Sequence, residues 1–363
     1  MKLEADNKMR QTFLALLTLM ALAAPAAPAS APPLPERVRS VIRDGVDRAR
    51  DARIVRTTSY QQGREEQTDR QTKTLKLGPD GELSVANISG DIVVTRAGGG
   101  DATVEIVKTA KARTSEDARE LLGLVQVAVT ERNGRAEVKT VYPRDDEMRR
   151  NNRRNMNVSV AYTIAAPAGT RLTINSISGS IRVTDIKGDL TLNTISGGVR
   201  IANGGRIATA KSVSGDVEIT DTQIDGALEA QSISGSVVLR KVSARRVDLG
   251  SVSGSVVIQD VQSERVEAHS VSGNVEFGGA LARHGRYELN SHSGNVRVSV
   301  AGGTGFELQA DSFSGSLRSD LQLTMQGTDR GEGRRRALRG VYGDGSAVLE
   351  VTTFSGSIVI SKR

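Results

Sequence analysis

The sequence predicts an all-β protein, a β-solenoid (parallel β-helix-like) of roughly 20-residue turns with a smaller β-rich N-terminal part containing one short helix. Three observations support this fold class. A Ser-Gly phrase such as "SVSGSVVI" (251–258) recurs nine times, apolar residues alternate with polar ones around it, and the chain holds 38 Gly against only 3% aromatic residues. A fixed sequence period is typical of solenoids, in which each repeat buries its apolar face only against its neighbours.

The first 31 residues have the pattern of a signal peptide. Arg10 precedes an apolar run from Phe13 to Ala24, and Ala27-Pro28-Ala29 matches an A-x-A cleavage site. The run is shorter than the roughly 20 residues of a membrane-spanning helix, so cleavage is favoured over a retained anchor, and no transmembrane span is expected afterwards. The acidic residues before Met9 fit a signal peptide poorly, which makes Met9 an alternative start. We predict an exported protein, either periplasmic or at the cell surface.

The composition excludes several classes of function. The chain of 363 residues has no Cys, which excludes disulfides, thiolate zinc sites and a Cys nucleophile. Its 49 Lys and Arg against 42 Asp and Glu give a formal charge of +7, a mild excess that does not by itself indicate nucleic-acid binding. We therefore expect no nucleic-acid partner.

Four regions follow in order along the chain. After the signal peptide (1–31), residues 32–74 form a polar, Arg-rich lead-in segment, and order is expected from about Leu75. Residues 75–170 form a β-rich capping region. Within it, "TSEDARELLGLV" predicts a short helix capped by Thr114 or Ser115, and Asn133-Gly134 predicts a hairpin. Residues 171–363 hold the solenoid repeats, with a basic insertion at 320–345.

The Gly of each Ser-Gly pair defines the repeat. It falls at positions 179, 197, 215, 235, 254, 273, 294, 315 and 356. The steps are 18 to 21 residues until the last step of 41, which we interpret as one degenerate turn that carries the insertion.

Apolar residues occupy fixed positions relative to this Gly. Residues two and four after it are Val, Ile, Leu or Phe, with Ser319 an exception. Residues two before it are Ile177, Ile195, Val213, Ile233, Val252, Val271, His292, Phe313 and Phe354. Alternation at period two predicts that all these side chains and the Gly share one buried face. Apolar residues seven and five before Gly have the other parity, which predicts a bend between the fifth and the second residue before Gly.

Hydroxyl residues form two further columns. One column lies one residue before Gly, as in Ser253, and the other lies three before it, as in Ser251. Their parity predicts two hydroxyl ladders on the face opposite the apolar residues. Gly itself suits a place where a side chain would crowd the facing wall or where φ is positive, and both reasons stay open.

These columns resemble the putative-adhesin family of bacterial β-strand-repeat proteins, whose members carry an iterated Ser-Gly-x-Val-x-Val after an exported N-terminus. The resemblance runs from about Leu75 to Ile360. It implies an extracytoplasmic, right-handed β-solenoid-like fold and brings no catalytic residues to carry over.

Catalytic and metal sites were considered and none is predicted. A Ser-His-acid triad needs a base beside one nucleophile, and His269, His284 and His292 are the only histidines. Structural histidines are favoured over catalytic ones. No His pair has metal-ligand spacing, no Asp-rich calcium loop occurs, and "AGGGD" and "AGGTG" are interpreted as turns. We predict neither a metal nor a cofactor.

Two other functions were weighed against binding. Parallel β-helix enzymes that act on polysaccharides need clustered acids, whereas the candidate acids here alternate with Arg and Ser; they are Asp216, Glu218, Asp260 and Glu276. Hydroxyl ladders also occur in ice-binding proteins, but the varying period disfavours that function. The enzyme stays the alternative.

We therefore predict a non-enzymatic envelope or surface protein with an adhesin-like or envelope-stress-associated role. The expected partners are anionic envelope polymers or lipids, or another envelope protein. Candidate anion-binding residues lie in two clusters: Arg149, Arg150, Arg153 and Arg154, and Arg334, Arg335, Arg336 and Arg339. Guanidinium groups suit phosphate and carboxylate polymers, although a charge cluster is ordinarily a solvated loop.

Overall fold

The structure, a computed structural model, describes residues 65–143, 157–325 and 336–363. The predicted signal peptide and residues 32–64 of the lead-in segment lie outside the described residues. Within these ranges all 25 strands belong to one sheet, and the one helix lies in the N-terminal part. The prediction of an all-β protein with a short helix is confirmed.

Seven strands and the helix precede the repeats. They are β1 (Glu65–Lys76), β2 (Glu82–Ser89), β3 (Ile92–Arg96), β4 (Asp101–Ala112), α1 (Ser115–Leu124), β5 (Gln126–Arg132), β6 (Arg135–Val141) and β7 (Val158–Ala166). β1 begins well before Leu75, where the sequence predicts order to start. It is an edge strand that pairs antiparallel with β4 and leaves both faces largely in water, so it shows no apolar alternation.

The local predictions for this part are confirmed. Thr114 caps α1, and its hydroxyl accepts a hydrogen bond from the Asp117 amide at 3.1 Å. β5 and β6 form an antiparallel hairpin at Asn133 and Gly134, whose φ angles of 48° and 76° are those that a two-residue hairpin turn needs.

The repeats contain the remaining strands. They are β8 (Arg171–Ser178), β9 (Ile181–Thr184), β10 (Leu190–Ser196), β11 (Val199–Ala202), β12 (Ile207–Ser214), β13 (Val217–Ser232), β14 (Val237–Ser251), β15 (Val256–Gln259), β16 (Arg265–Ser270), β17 (Val275–Ala280), β18 (Arg286–Ser291), β19 (Val296–Ala301), β20 (Phe306–Ser314), β21 (Leu317–Ser319), β22 (Thr324–Met325), β23 (Arg336–Tyr342), β24 (Ala347–Ser355) and β25 (Ile358–Lys362).

Apart from β22 and β23, these strands form two rows, in each of which neighbouring strands pair in parallel. The first row holds the segments before each Ser-Gly pair, where Leu172 pairs with Leu190, and the second row holds the segments after it, where Val199 pairs with Val217. β13 and β14 are long enough to join both rows. Because the pairing is in register, equivalent apolar side chains stack on one another, and each fully buried Val or Ile contributes roughly 1.5–3 kcal/mol.

Each repeat bends at the Ser-Gly pair itself. In the Gly197 repeat, Leu190, Leu192 and Thr194 are all buried, whereas Ile195 is 51% exposed. In the other repeats the residue three before Gly is likewise buried and the residue two before it is exposed, except that Val252 and Val271 are half-buried. The prediction that residues two before Gly face the interior is therefore wrong, and so are the predicted exposure of the hydroxyl three before Gly and the predicted position of the bend. The serines one before Gly are exposed, as predicted.

The buried hydroxyls tie neighbouring corners together. Ser232 donates to the Gly215 carbonyl and Ser251 to the Gly235 carbonyl, each at 2.8 Å. The equivalent bond is made by Thr194, Ser212, Ser270, Ser291, Ser312 and Thr353. A small hydroxyl residue belongs inside the corner because it satisfies a carbonyl that would otherwise be buried without a partner.

The corner glycines pack backbone on backbone. A Cβ atom added to Gly235 would lie 2.2 Å from the Gly215 carbonyl oxygen. Contact with the neighbouring corner, and not with the facing wall, therefore excludes a side chain at this position. Positive φ is an additional reason at Gly179 and Gly197, whose φ angles are 151° and 150°.

The last repeats are not stacked in chain order. β24 lies between β18 and β20, and β25 lies between β19 and β21. The Gly356 repeat is thus inserted between the Gly294 and Gly315 repeats. β23 pairs antiparallel with the outer edge of β20 and with β22. The interpretation of residues 315–356 as one degenerate turn is therefore wrong: described residues of the insertion form a hairpin across the end of the first row.

Candidate functional site

An apolar ridge follows the corners of the first row. We use this name for the residue two before each corner Gly, which the bend at Ser-Gly turns outward. In the order in which the strands pair, the apolar ridge consists of Ile88, Ile177, Ile195, Val213, Ile233, Val252, Val271, His292, Phe354 and Phe313. Seven of these are 38–51% exposed.

Its aromatic end is stacked. The Phe354 ring lies 5.0 Å from His292 on one side and 4.8 Å from Phe313 on the other, measured between ring centroids. The interplanar angles of 6° and 5° show that strand spacing sets the stacking. Because β24 lies between β18 and β20, the inserted strand brings the three rings together.

Sequence reasoning placed the apolar ridge inside the protein. The alternation of buried and exposed positions before Gly could have shown that the ridge residues face outward. Positions seven, five and three before Gly form one unbroken alternation, as in Leu190, Leu192 and Thr194, and this assigns position two to the other face. Apolar character was given more weight than this alternation, because buried side chains are ordinarily apolar.

Two of the candidate arginines lie on the terminal hairpin, the name used here for β22 and β23. Arg336 and Arg339 are exposed and stand opposite Ser312 and Gln309 of β20. Neither makes an ion pair within the described part of the chain. The other six, Arg149, Arg150, Arg153, Arg154, Arg334 and Arg335, lie outside the described residues.

Arginines on the stacked strands are mostly paired. Arg240 lies 2.7 Å from Glu218, Arg297 lies 3.0 Å from Glu276, and Arg286 lies 2.8 Å from Glu350. Such pairs join neighbouring repeats and neutralise most of the charge along the rows. Exposed ion pairs contribute about 0–1 kcal/mol each, so their main effect is on surface charge.

Asp344 anchors the chain where the terminal hairpin returns to the stack. Its carboxylate accepts hydrogen bonds from the Ser346 amide at 3.3 Å and the Gly305 amide at 2.9 Å. Bonding to Ser346, followed by the bond from Gly305, lowers the pKa of this carboxyl. The Asp344 side chain therefore fixes β23 relative to the end of the first row.

The candidate catalytic residues are dispersed. His269, His284 and His292 are all exposed, and His292 belongs to the apolar ridge. Among the candidate acids, Glu218, Glu276 and Asp260 face arginines, and Asp216 accepts a hydrogen bond from the Ser236 amide. The described residues hold no group of three or more His, Asp or Glu side chains placed to bind a metal ion. No helix among them has the length and hydropathy needed to cross a membrane.

Comparison with known proteins identifies the family. A comparison with curated proteins finds no match. Similar solved structures include a "putative adhesin" from Bacteroides fragilis NCTC 9343, with 14% identity, a TM-score of 0.39, and coverage of 81% of this chain and 97% of that one. Another is a "putative lipid binding protein" from Parabacteroides distasonis ATCC 8503, with 14% identity, a TM-score of 0.35 and the same coverages. The Toastrack DUF4097 family model matches residues 81–361, most of the chain and nearly all of the repeats. The chain belongs to the Toastrack DUF4097 family.

Proposed function

We propose that this protein is an exported, non-enzymatic binding protein of the bacterial envelope with an adhesin-like or envelope-stress-associated role. In this proposal a β-solenoid of roughly 20-residue turns is a rigid support, and the arginine clusters bind phosphate or carboxylate groups of envelope polymers or lipids. Loops carried by a rigid scaffold are where binding residues concentrate.

The contrast in arginine pairing is the observation that supports this proposal. Most arginines of the stacked strands face a carboxylate, as Arg240 faces Glu218 at 2.7 Å. Within the described part of the chain, Arg336 and Arg339 face none, although both are exposed. A guanidinium group without a carboxylate partner has all its N–H donors available to bind a ligand. The sequence places Arg334 and Arg335 directly beside them.

The experiment compares two double variants with the same change in net charge. Arg336→Ser with Arg339→Ser removes the terminal hairpin's described arginines. Arg182→Ser with Arg245→Ser removes two arginines that are exposed on stacked strands and also make no ion pair in the described residues. Binding is measured to lipopolysaccharide, to phosphatidylglycerol vesicles and to an acidic glycan, each at low and physiological salt.

We expect the hairpin variant to bind at least one of these ligands several-fold more weakly, while the stacked-strand variant binds like the original chain. Adding Arg334→Ser and Arg335→Ser should weaken binding further without lowering thermal stability. Affinity should fall steeply with salt, because exposed charges are screened beyond roughly 8 Å at physiological ionic strength. Equal losses in both double variants would indicate attraction by net charge alone, and unchanged affinity would exclude these arginines from binding.

A further inference from the structure

The apolar ridge forms a continuous surface. Its ten positions lie at or directly after the C-terminal ends of strands that pair with one another, from Ile88 on β2 to Phe313 on β20. Strand neighbours lie about 4.8 Å apart, so the nine steps between the ten positions give a line about 43 Å long. Ile or Val fills its first seven positions, and His292, Phe354 and Phe313 fill the last three.

The ridge leaves a large apolar area exposed. At exposed fractions of 38–51% for seven of its members, the ridge leaves on the order of 600 Å² of apolar surface in water, the upper end of the largest patch on a typical monomer. Patches of this size in soluble proteins usually mark an interaction surface.

The flanks of the ridge are almost uncharged. On its C-terminal side lies the column of serines before Gly, all exposed except the half-buried Ser89: Ser89, Ser178, Ser196, Ser214, Ser234, Ser253, Ser272, Ser293, Ser355 and Ser314. The residues after Gly are Ser, Asn or Gly, apart from Asp91 and Asp216, whose carboxylates each accept a hydrogen bond from a backbone amide. Surfaces that bind anionic lipid carry Lys and Arg beside their apolar residues. Neither of these two columns contains Lys or Arg, and the column on the strand side of the ridge, four residues before Gly, contains one, Lys211, which pairs with Glu229 at 2.8 Å.

We propose that the apolar ridge is the interface between two copies of this chain. The ridge is self-complementary, because a second copy turned by a two-fold axis presents the same apolar and hydroxyl columns, and the one lysine beside the ridge, Lys211, is already paired with Glu229. Two ridges together bury on the order of 1,200 Å², the lower end of the range for specific protein–protein interfaces. This proposal does not depend on the proposed anion binding.

The first test is the oligomeric state of the protein purified without residues 1–31, measured by sedimentation equilibrium. Val213→Lys introduces a charge at the ridge, where Val213 is 41% exposed. Val141→Lys is the matched control, because Val141 on β6 is 42% exposed and lies off the ridge. We expect a reversible dimer for the original chain and for Val141→Lys, and at least tenfold weaker association for Val213→Lys.

The double variant Ile195→Ser with Ile233→Ser is a milder change, which tests whether weaker association comes from loss of the ridge and not from misfolding. It should weaken the dimer without changing the circular dichroism spectrum. A monomer at every accessible concentration, or equal association of the ridge and control variants, would overturn the proposal.

The second test uses the absence of Cys from the chain. Ser234→Cys places one thiol beside the middle of the ridge, just after the end of β13, and Gln223→Cys places one at an exposed position within β13, away from the ridge. Rapid disulfide-linked dimer formation by Ser234→Cys, without the same by Gln223→Cys, supports the interface, and equal rates contradict it.

Flotation with phosphatidylcholine and phosphatidylglycerol vesicles provides a further check. Vesicle binding that Val213→Lys abolishes, together with a monomeric original chain, would assign the ridge to a lipid surface and reject the dimer.

Discussion

At the scale of single residues, the corner of each repeat depends on two hydroxyl residues that the sequence makes look alike. Ser251 is buried and donates to the Gly235 carbonyl at 2.8 Å, whereas Ser253 is exposed. The first closes a hydrogen bond between repeats, and the second faces solvent beside the apolar ridge. Their substitution should therefore have different consequences.

Ser251→Ala should lower the free energy of unfolding by about 1 kcal/mol or somewhat more, because it leaves the buried Gly235 carbonyl without its hydroxyl donor. Ser253→Ala is the control in the same repeat, and its effect should lie within about 0.5 kcal/mol of zero. Chemical denaturation of both variants measures the difference. Equal effects would mean that the hydroxyl–carbonyl bond does not contribute to stability.

A corner glycine should be much less tolerant than a glycine in a strand. In Gly235→Ala the new Cβ would lie 2.2 Å from the Gly215 carbonyl oxygen, so neighbouring corners have to separate. We expect a loss of a few kcal/mol and a clearly lower melting temperature. Gly278→Ala is the control, because the nearest atom to its Cβ would be 3.8 Å away. A Gly235→Ala variant as stable as Gly278→Ala would contradict the close packing.

At the scale of secondary-structure elements, stacking brings like residues together on the first row. Glu229, Asp248, Glu267 and Glu288 follow one another in register on neighbouring strands. Arg246 and Arg265 lie close enough to Glu267 to offset its charge, at 3.2 and 2.8 Å. Burial raises the pKa of the half-buried Asp248 carboxyl more than His269 lowers it, and Glu267 and Glu229 raise it further.

Asp248→Asn should therefore stabilise the protein at neutral pH. A pKa raised in the folded state means that the charged carboxylate opposes folding above that pKa, and that the penalty disappears as the pH falls through the folded pKa towards the unfolded value of about 3.9. We expect a gain below about 1 kcal/mol at pH 7, because the site is partly solvated, and none near pH 3.5.

Glu267→Gln is the contrasting variant, since it removes two ion pairs and should destabilise. Thermal melts from pH 3.5 to 7 measure both variants, and a less stable Asp248→Asn at pH 7 would contradict this account.

The elements themselves differ in how far the sequence predicts them. The helix, the Asn133-Gly134 hairpin and the apolar residues after Gly are local patterns, and they were predicted correctly. The bend was misplaced because Ile195 is apolar and exposed, although the alternation of Leu190, Leu192 and Thr194 assigns it to the outer face. The apolar ridge was missed for the same reason. Arg336 and Arg339 were predicted as candidates, but their lack of carboxylate partners depends on which strands become neighbours.

At the scale of the whole molecule, pairing in space departs from chain order. No pattern in "TTFSGSIVI" distinguishes a final repeat from one inserted between two earlier ones, since its apolar positions match those of every other repeat. The position of β24 and β25 depends on contacts with strands far away in the sequence, whose edges resemble one another. Its consequence for stability can be measured by truncation.

A chain that ends at Ser346 lacks β24 and β25, so β20 and β21 lose their parallel partners. We expect hydrogen exchange to become fast over residues 306–319 while β8 to β15 keep their protection. Removing only residues 361–363 is the control and should leave β20 protected. Retained protection of residues 306–319 in the longer truncation would show that β20 pairs directly with β18 instead.

The place of β24 and β25 also sets the order in which the protein can be completed. Synthesis delivers the N-terminal repeats first, so the edges of β18 and β19 have no final partner until β24 and β25 are made. An incomplete chain therefore presents unpaired N–H and C=O groups of the kind that recruit other chains into aggregates. Protection of that edge therefore depends on strands that are made after β20 and the terminal hairpin.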